Sequence, residues 1–173
     1  MRLKDKSAIV TGGAKGIGRG IATVFASEGC RVAIADIDIE VAERTASEIR
    51  QSGGTADVIA TDVRLANDIE RTIEHVITTH GHLDIMVNNA GWHPPVTSID
   101  QTSIDLFESQ LALNLTSTFI GSKLAFVNTI MEMCHHLPNT NVDEVINALK
   151  MCNKRIISDK YLSGGMGDGG GCH

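Results

Sequence analysis

Long hydrophobic runs are missing from this chain. No stretch of eighteen consecutive apolar residues occurs in its 173, so no membrane span is expected. The first six residues, Met-Arg-Leu-Lys-Asp-Lys, are charged and lead into only four apolar ones, which is not the pattern of a secretory signal. Basic residues are outnumbered: 15 Lys and Arg against 21 Asp and Glu leave a net charge of −6 and a pI near 5.6. That balance argues against nucleic acid as a partner. Cysteine is sparse, at 30, 134, 152 and 172, and shows no paired spacing. A disulfide framework is therefore not expected, and a reduced cytoplasmic setting is the simplest reading. Aromatic residues make up only 3%, with a single tyrosine, Tyr161.

Glycine, by contrast, is placed with a pattern. Ser7 to Val10 reads as a short buried strand, and Thr11-Gly12-Gly13-Ala14-Lys15-Gly16-Ile17-Gly18 follows it directly. Ile17, Ile21 and Phe25 then recur one helical turn apart. Strand, glycine turn and helix open a dinucleotide-binding βαβ unit. In such a unit Gly12 permits the sharp turn, Gly16 lets backbone approach a pyrophosphate, and Gly18 lets the helix lie close to the strand. The helix N-terminus offers free N–H groups and partial positive charge. A second strand, Arg31 to Ala35, ends in Asp36, eighteen residues beyond Gly18. An acid there hydrogen-bonds the ribose of NAD and repels the 2′-phosphate of NADP. Lys15 would suit that phosphate, but Asp36 opposes it directly.

Helices and strands alternate through the first half. Val41, Ala42, Thr45, Ala46 and Ile49 mark a helix ended by Gly53-Gly54, and Ala56 to Ala60 a third strand. Ile69, Ile73, Val76 and Ile77 mark another helix closed by Gly81, and Leu83 to Val87 a fourth strand. The alternation predicts an α/β fold: a Rossmann-like parallel half-sheet, strand order 3-2-1-4. Residues 91 to 99 read as a loop, and His80, His82 and His93 as ordinary loop residues. From about Ser103 to His136 the pattern is helical, with room for one break. Between 111 and 134 the helix is apolar on several faces, so burial on several faces is expected. Pro138 ends it, Asn141 could cap a helix over Val142 to Leu149, and six glycines fill the last ten residues. The expected division is 1–120 as the dinucleotide-binding half, 121–163 as a helical appendage and 164–173 as a glycine-rich tail.

The glycine turn resembles T-G-x-x-x-G-x-G of the short-chain dehydrogenases/reductases. Further motifs resemble the same family in order: Asp62-Val63 after the third strand, Asn88-Asn89-Ala90-Gly91, and Asn114 within Leu113-Asn114-Leu115. The resemblance implies an NAD site in which Gly12, Gly16, Ile17 and Gly18 hold the pyrophosphate and Asp36 the ribose. Asp62 and Val63 would contact adenine, and Asn89 the cofactor beside the fourth strand. It covers about residues 1–120.

Beyond that point the pattern departs. The family's catalytic serine and Tyr-x-x-x-Lys are missing: Tyr161 is followed four positions later by Gly165. Residues 123–173 instead resemble the UDP-glucose dehydrogenase family. Lys123 to Asn128, Asn141 to Val145, Arg155-Ile156 and a glycine run leading to Cys172-His173 carry that likeness. It implies a central dimerisation helix and places Cys172 on that family's nucleophile. The chain therefore reads as two partial dehydrogenases, a possible chimera joined near 118–124.

Cys134, His135, His136, Cys172 and His173 have the ligand types of a zinc site, but neighbouring ligands on one helix diverge, and no metal is expected. The reading favoured is NAD binding without efficient turnover. One alternative is an active oxidoreductase using Asn114 or Cys172. Another is a fold-recombination or oligomerisation module with an inherited site. A homodimer is expected through residues 111–134, centred on Phe119, Leu124, Val127 and Met131, with the exposed edge of strand 83–87 as a second contact.

Overall fold

The computed structural model describes residues 1–92 and 99–136, with residue 99 and the last six through their backbone. Four parallel strands form one sheet: β1 (Ser7–Thr11), β2 (Arg31–Asp36), β3 (Thr55–Ala60) and β4 (Ile85–Val87). Their order is β3-β2-β1-β4, as the alternation predicts. The linking helices are α1 (Gly16–Ser27), α2 (Ile39–Gln51) and α3 (Ala66–His80). A short 3-10 turn (Ile99–Gln101) precedes α4 (Ile104–Leu111) and α5 (Ser117–His136), which are joined by one π-helical segment, Ala112–Thr116. Among the described residues no helix is long and apolar enough to cross a membrane.

Period-two alternation in the central strand divides the core. Ala8 and Val10 face α1 and α2, packing with Val32, Ile34, Ala22, Ala42 and Ile49. Ile9 faces the other way, with Ala33, Ala35, Ile69, Ile73, Val76 and Leu124. A strand covered on both faces must be apolar throughout, and every residue of β1 is buried.

Three expectations need correction. The fourth strand opens at Ile85 and not at Leu83, because the Ser7 N–H is taken by the Asp84 carboxylate at 2.8 Å in place of a strand carbonyl. His80 is no loop residue: it ends α3, buried, with Nδ1 2.7 Å from Ser7 Oγ and Nε2 2.6 Å from Asp57 Oδ2. The third concerns the centre of the expected interface. Leu124 and Val127 are buried within their own chain, so they cannot centre an interface between copies. Ile104, Phe107, Leu111, Leu115, Phe119 and Phe126 lie exposed. Residues 93–98 of the loop expected over 91–99, His93 among them, the side chain of Met131, the cap at Asn141 and everything beyond residue 136 lie outside the residues described.

Candidate functional site

The carboxyl ends of the strands meet at one cleft of about 610 Å³. Gly12, Ile17, Asp36, Asp62, Val63 and Asn89 line it, together with Lys15, Arg64, Trp92 and Leu113. Cys172 lies outside the described residues.

The glycine turn is built from backbone requirements. Gly12 and Gly16 have φ of +63° and +59°, the left-handed region that side chains with a Cβ rarely adopt. Space around Gly16 is open, whereas a Cβ on Gly18 would lie 2.2 Å from the Gly12 carbonyl oxygen. The turn thus delivers α1 with its N-terminus bare. Its N-cap, Lys15, makes no side-chain capping bond, and no acid stands in the first turn. Ile17 does not join the α1 core face; it is 78% exposed at the mouth of the cleft. Unclaimed N–H groups in an open, glycine-lined turn fit a diphosphate.

Asp36 is fixed before any ligand arrives. One carboxylate oxygen accepts from Ala14 N–H and the other from Asp38 N–H, each at 3.0 Å. The Ala14 bond ties the acid to the turn, so the carboxylate and the bare α1 N-terminus are positioned together. Asp38 in turn caps α2 through Val41 N–H at 3.3 Å. Past the end of β3, Arg64 grips both oxygens of Asp62, its Nη2 at 2.5 Å from Oδ2 and its Nε at 2.9 Å from Oδ1. Those bonds hold the Asp62 carboxyl below the usual carboxylate range. Val63 is buried in the core behind this pair.

The far wall hangs on Thr11. Its hydroxyl donates to Val87 O and accepts from the N–H groups of Asn89 and Ala90, at 3.0–3.1 Å. Asn89 Nδ2 donates to Thr11 O at 2.9 Å and Gly12 O at 3.1 Å. Asn89 therefore joins β4 to the glycine turn. Asn114 sits in the π-helical segment and binds the backbone of Trp92, so its amide is committed to the loop and does not line the cleft. Sequence reading missed Thr11, Arg64 and Trp92. Arg64, two residues past Asp62, was the one with a local signal.

Among the described residues no group of three or more histidine, cysteine or acidic side chains could hold a metal.

Residues 6–137 match the family model described as short chain dehydrogenase. The chain belongs to this family. Residues 108–173 also match the central domain of the UDP-glucose/GDP-mannose dehydrogenase family. An uncharacterised oxidoreductase of Bacillus subtilis, YxbG, is 38% identical over 70% of this chain and 45% of its own length. A 7α-hydroxysteroid dehydrogenase solved with NADH and 7-oxo glycochenodeoxycholic acid is 33% identical, with a TM-score of 0.71 over 76% of this chain and 51% of its own. A metagenomic short-chain oxidoreductase solved with NADP is 28% identical, with a TM-score of 0.72 over 76% of this chain and 60% of its own. The chain spans about half the length of the curated short-chain dehydrogenase relatives it matches.

Proposed function

We propose that this chain is an NAD-binding domain of short-chain dehydrogenase type that binds its dinucleotide without efficient turnover. The observation that carries this reading is the pairing of an uncapped α1 N-terminus with Asp36 across the hydrogen bond from Ala14 N–H. Gly12, Gly16, Ile17 and Gly18 would hold the pyrophosphate, Asp36 the ribose, Asp62 and Val63 the adenine, and Asn89 the wall beside β4. The bound group would supply hydride transfer at its nicotinamide. Solved relatives hold NADH in one case and NADP in another, which supports a dinucleotide of either kind. The carboxylate of Asp36 argues for NAD, because it repels a 2′-phosphate. Weak turnover follows from the absence of Tyr-x-x-x-Lys, since Tyr161 precedes Gly165 and general acid–base transfer is worth on the order of 10² to 10⁴ in rate. The overlap of the two family matches over 108–137 supports two partial dehydrogenases sharing the α4–α5 helix.

Calorimetric titration tests the reading. NAD should bind at least about tenfold, or roughly 1.4 kcal/mol, tighter than NADP, and Asp36→Ala should erase the difference. Equal affinity for the two, or no binding of either, sinks it. Turnover at ordinary enzyme rates with simple alcohols or sugar nucleotides would refute the catalytic half.

A further inference from the structure

We infer that Gln110 is a positioning residue of the cofactor cleft: it fixes the side-chain amide of Asn114, which pins the Gly91–Trp92 wall. The inference rests on the reading of the cleft as a dinucleotide site.

Asn114 grips Trp92 at two points. Its Oδ1 accepts from Trp92 N–H at 3.1 Å, and its Nδ2 donates to Trp92 O at 3.0 Å. A side-chain amide here copies the paired bonding of a neighbouring strand. The grip requires close approach: a Cβ on Gly91 would lie 2.8 Å from Asn114 Oδ1. One of the two Nδ2 hydrogens goes to Trp92. The other is shared by Gln110, through its carbonyl at 3.1 Å and its side-chain Oε1 at 3.0 Å. Reversing the Asn114 amide would set an N–H against an N–H and one oxygen against three others, so the orientation is unique.

Gln110 gives up its own satisfaction to make this contact. Its Nε2 is buried without a hydrogen-bond partner, the one such side-chain atom among the described residues. Turning the Gln110 amide over would not help, because it would face Nε2 with Asn114 Nδ2. A buried amide nitrogen left unpaired is a penalty that a purely structural position would shed by substitution. The π-helical segment brings the relay into reach. Ser117 N–H bonds Ala112 O, five residues back, and the wide turn holds Asn114 opposite the loop. Trp92 and Gly91 line the cleft directly. The chain of contacts therefore runs from α4 through one amide to the wall beyond β4.

The test uses the full chain and the Gln110→Met variant. Methionine keeps the length of the side chain, removes the acceptor that Asn114 uses and removes the unpaired nitrogen. Two readouts need no cofactor: hydrogen exchange at the Trp92 amide, and emission of Trp92, the chain's only tryptophan. Positioning predicts Trp92 exchange faster by about fivefold or more and altered emission, at an unchanged or raised Tm. NAD affinity should fall about three- to tenfold. Gln110→Glu, which keeps an acceptor for Asn114, should restore slow Trp92 exchange. Unchanged exchange and emission in Gln110→Met overturn the inference. So does a change in exchange across the whole of α4 and α5 that Gln110→Glu does not reverse. If the wild-type chain fails to bind NAD, the function proposed above falls, while Trp92 exchange still decides the role of Gln110.

Discussion

Gly18 and Gly20 stand two residues apart on α1 and should respond to alanine in opposite directions. At Gly18 the added methyl would meet the Gly12 carbonyl at 2.2 Å and Asn89 Nδ2 at 2.6 Å, so the turn, the helix or the β4 wall must move. Gly18→Ala should lose about 3 kcal/mol in urea unfolding. At Gly20 nothing lies within 4 Å, and alanine should gain about 0.5–1 kcal/mol through helix propensity alone. Equal effects at the two sites would show that α1 is not held against the turn. Asp84 makes a second prediction at this scale. Burial would raise its pKa, but the bonds from Lys6 Nζ and Ser7 N–H, with His82 nearby, outweigh it and hold the carboxyl below its usual range. A lowered folded pKa gives stability that is present above the unfolded value, near 3.9, and lost as pH falls through the folded one. Asp84→Asn should therefore cost about 1 kcal/mol at pH 7. Its acid limb below about pH 4 should be shallower than that of the wild type. Parallel acid limbs would remove Asp84 from that account.

At the scale of elements, the end of α3 is locked to the sheet through side chains. Gly81, at φ +89°, closes the helix, and His80 in its last turn reaches Ser7 at the start of β1 and Asp57 on β3. Ser7 is fully buried, so this Ser–His–Asp chain is a clip between three elements with no access for substrate. His80→Ala should leave the Ser7 hydroxyl unpartnered beside a new cavity and cost about 2–4 kcal/mol. Ser7→Ala, which removes one bond and little volume, should cost about 1 kcal/mol. Chemical denaturation that finds His80→Ala no worse than Ser7→Ala would contradict the clip. None of this was legible from the sequence, because Ser7 and His80 are 73 residues apart and no spacing rule connects them. The long helix shows the same limit. Its composition announced apolar surface on more than one side. Only packing decided that Leu124 joins the core with α3 and the sheet and that Ser117 and Val127 are buried, while Leu115 and Phe119 face out.

For the whole molecule, that outward row sets the expected assembly. Ile104, Phe107, Leu111 and Leu115 follow one another at three- and four-residue steps, and Phe119 and Phe126 continue the row along α5. Apolar surface of this extent is normally covered, most simply by a second copy across a two-fold axis. Light scattering at micromolar concentration should give twice the chain mass of 18.5 kDa, and Leu115→Glu should return it to one. A wild-type mass of 18.5 kDa would refute the dimer. The interface so placed differs from the one expected at Leu124 and Val127, which belong to the chain's own core. Sequence alone determined the strand order and the shape of the glycine turn, because both rest on local facts. A parallel strand needs a crossover of fixed hand, and a left-handed backbone position needs glycine. The pattern also set Asp36 at the end of β2, a position fixed by strand length. Tertiary structure alone decided what each polar side chain holds. Asp36 bonds Ala14, Arg64 grips Asp62, Asn89 holds the turn and Asn114 holds Trp92. The physical reason is range. A dihedral preference is settled by a residue and its neighbours, whereas a hydrogen bond needs two groups within about 3 Å. Folding alone brings residues 22 or 78 positions apart to that distance.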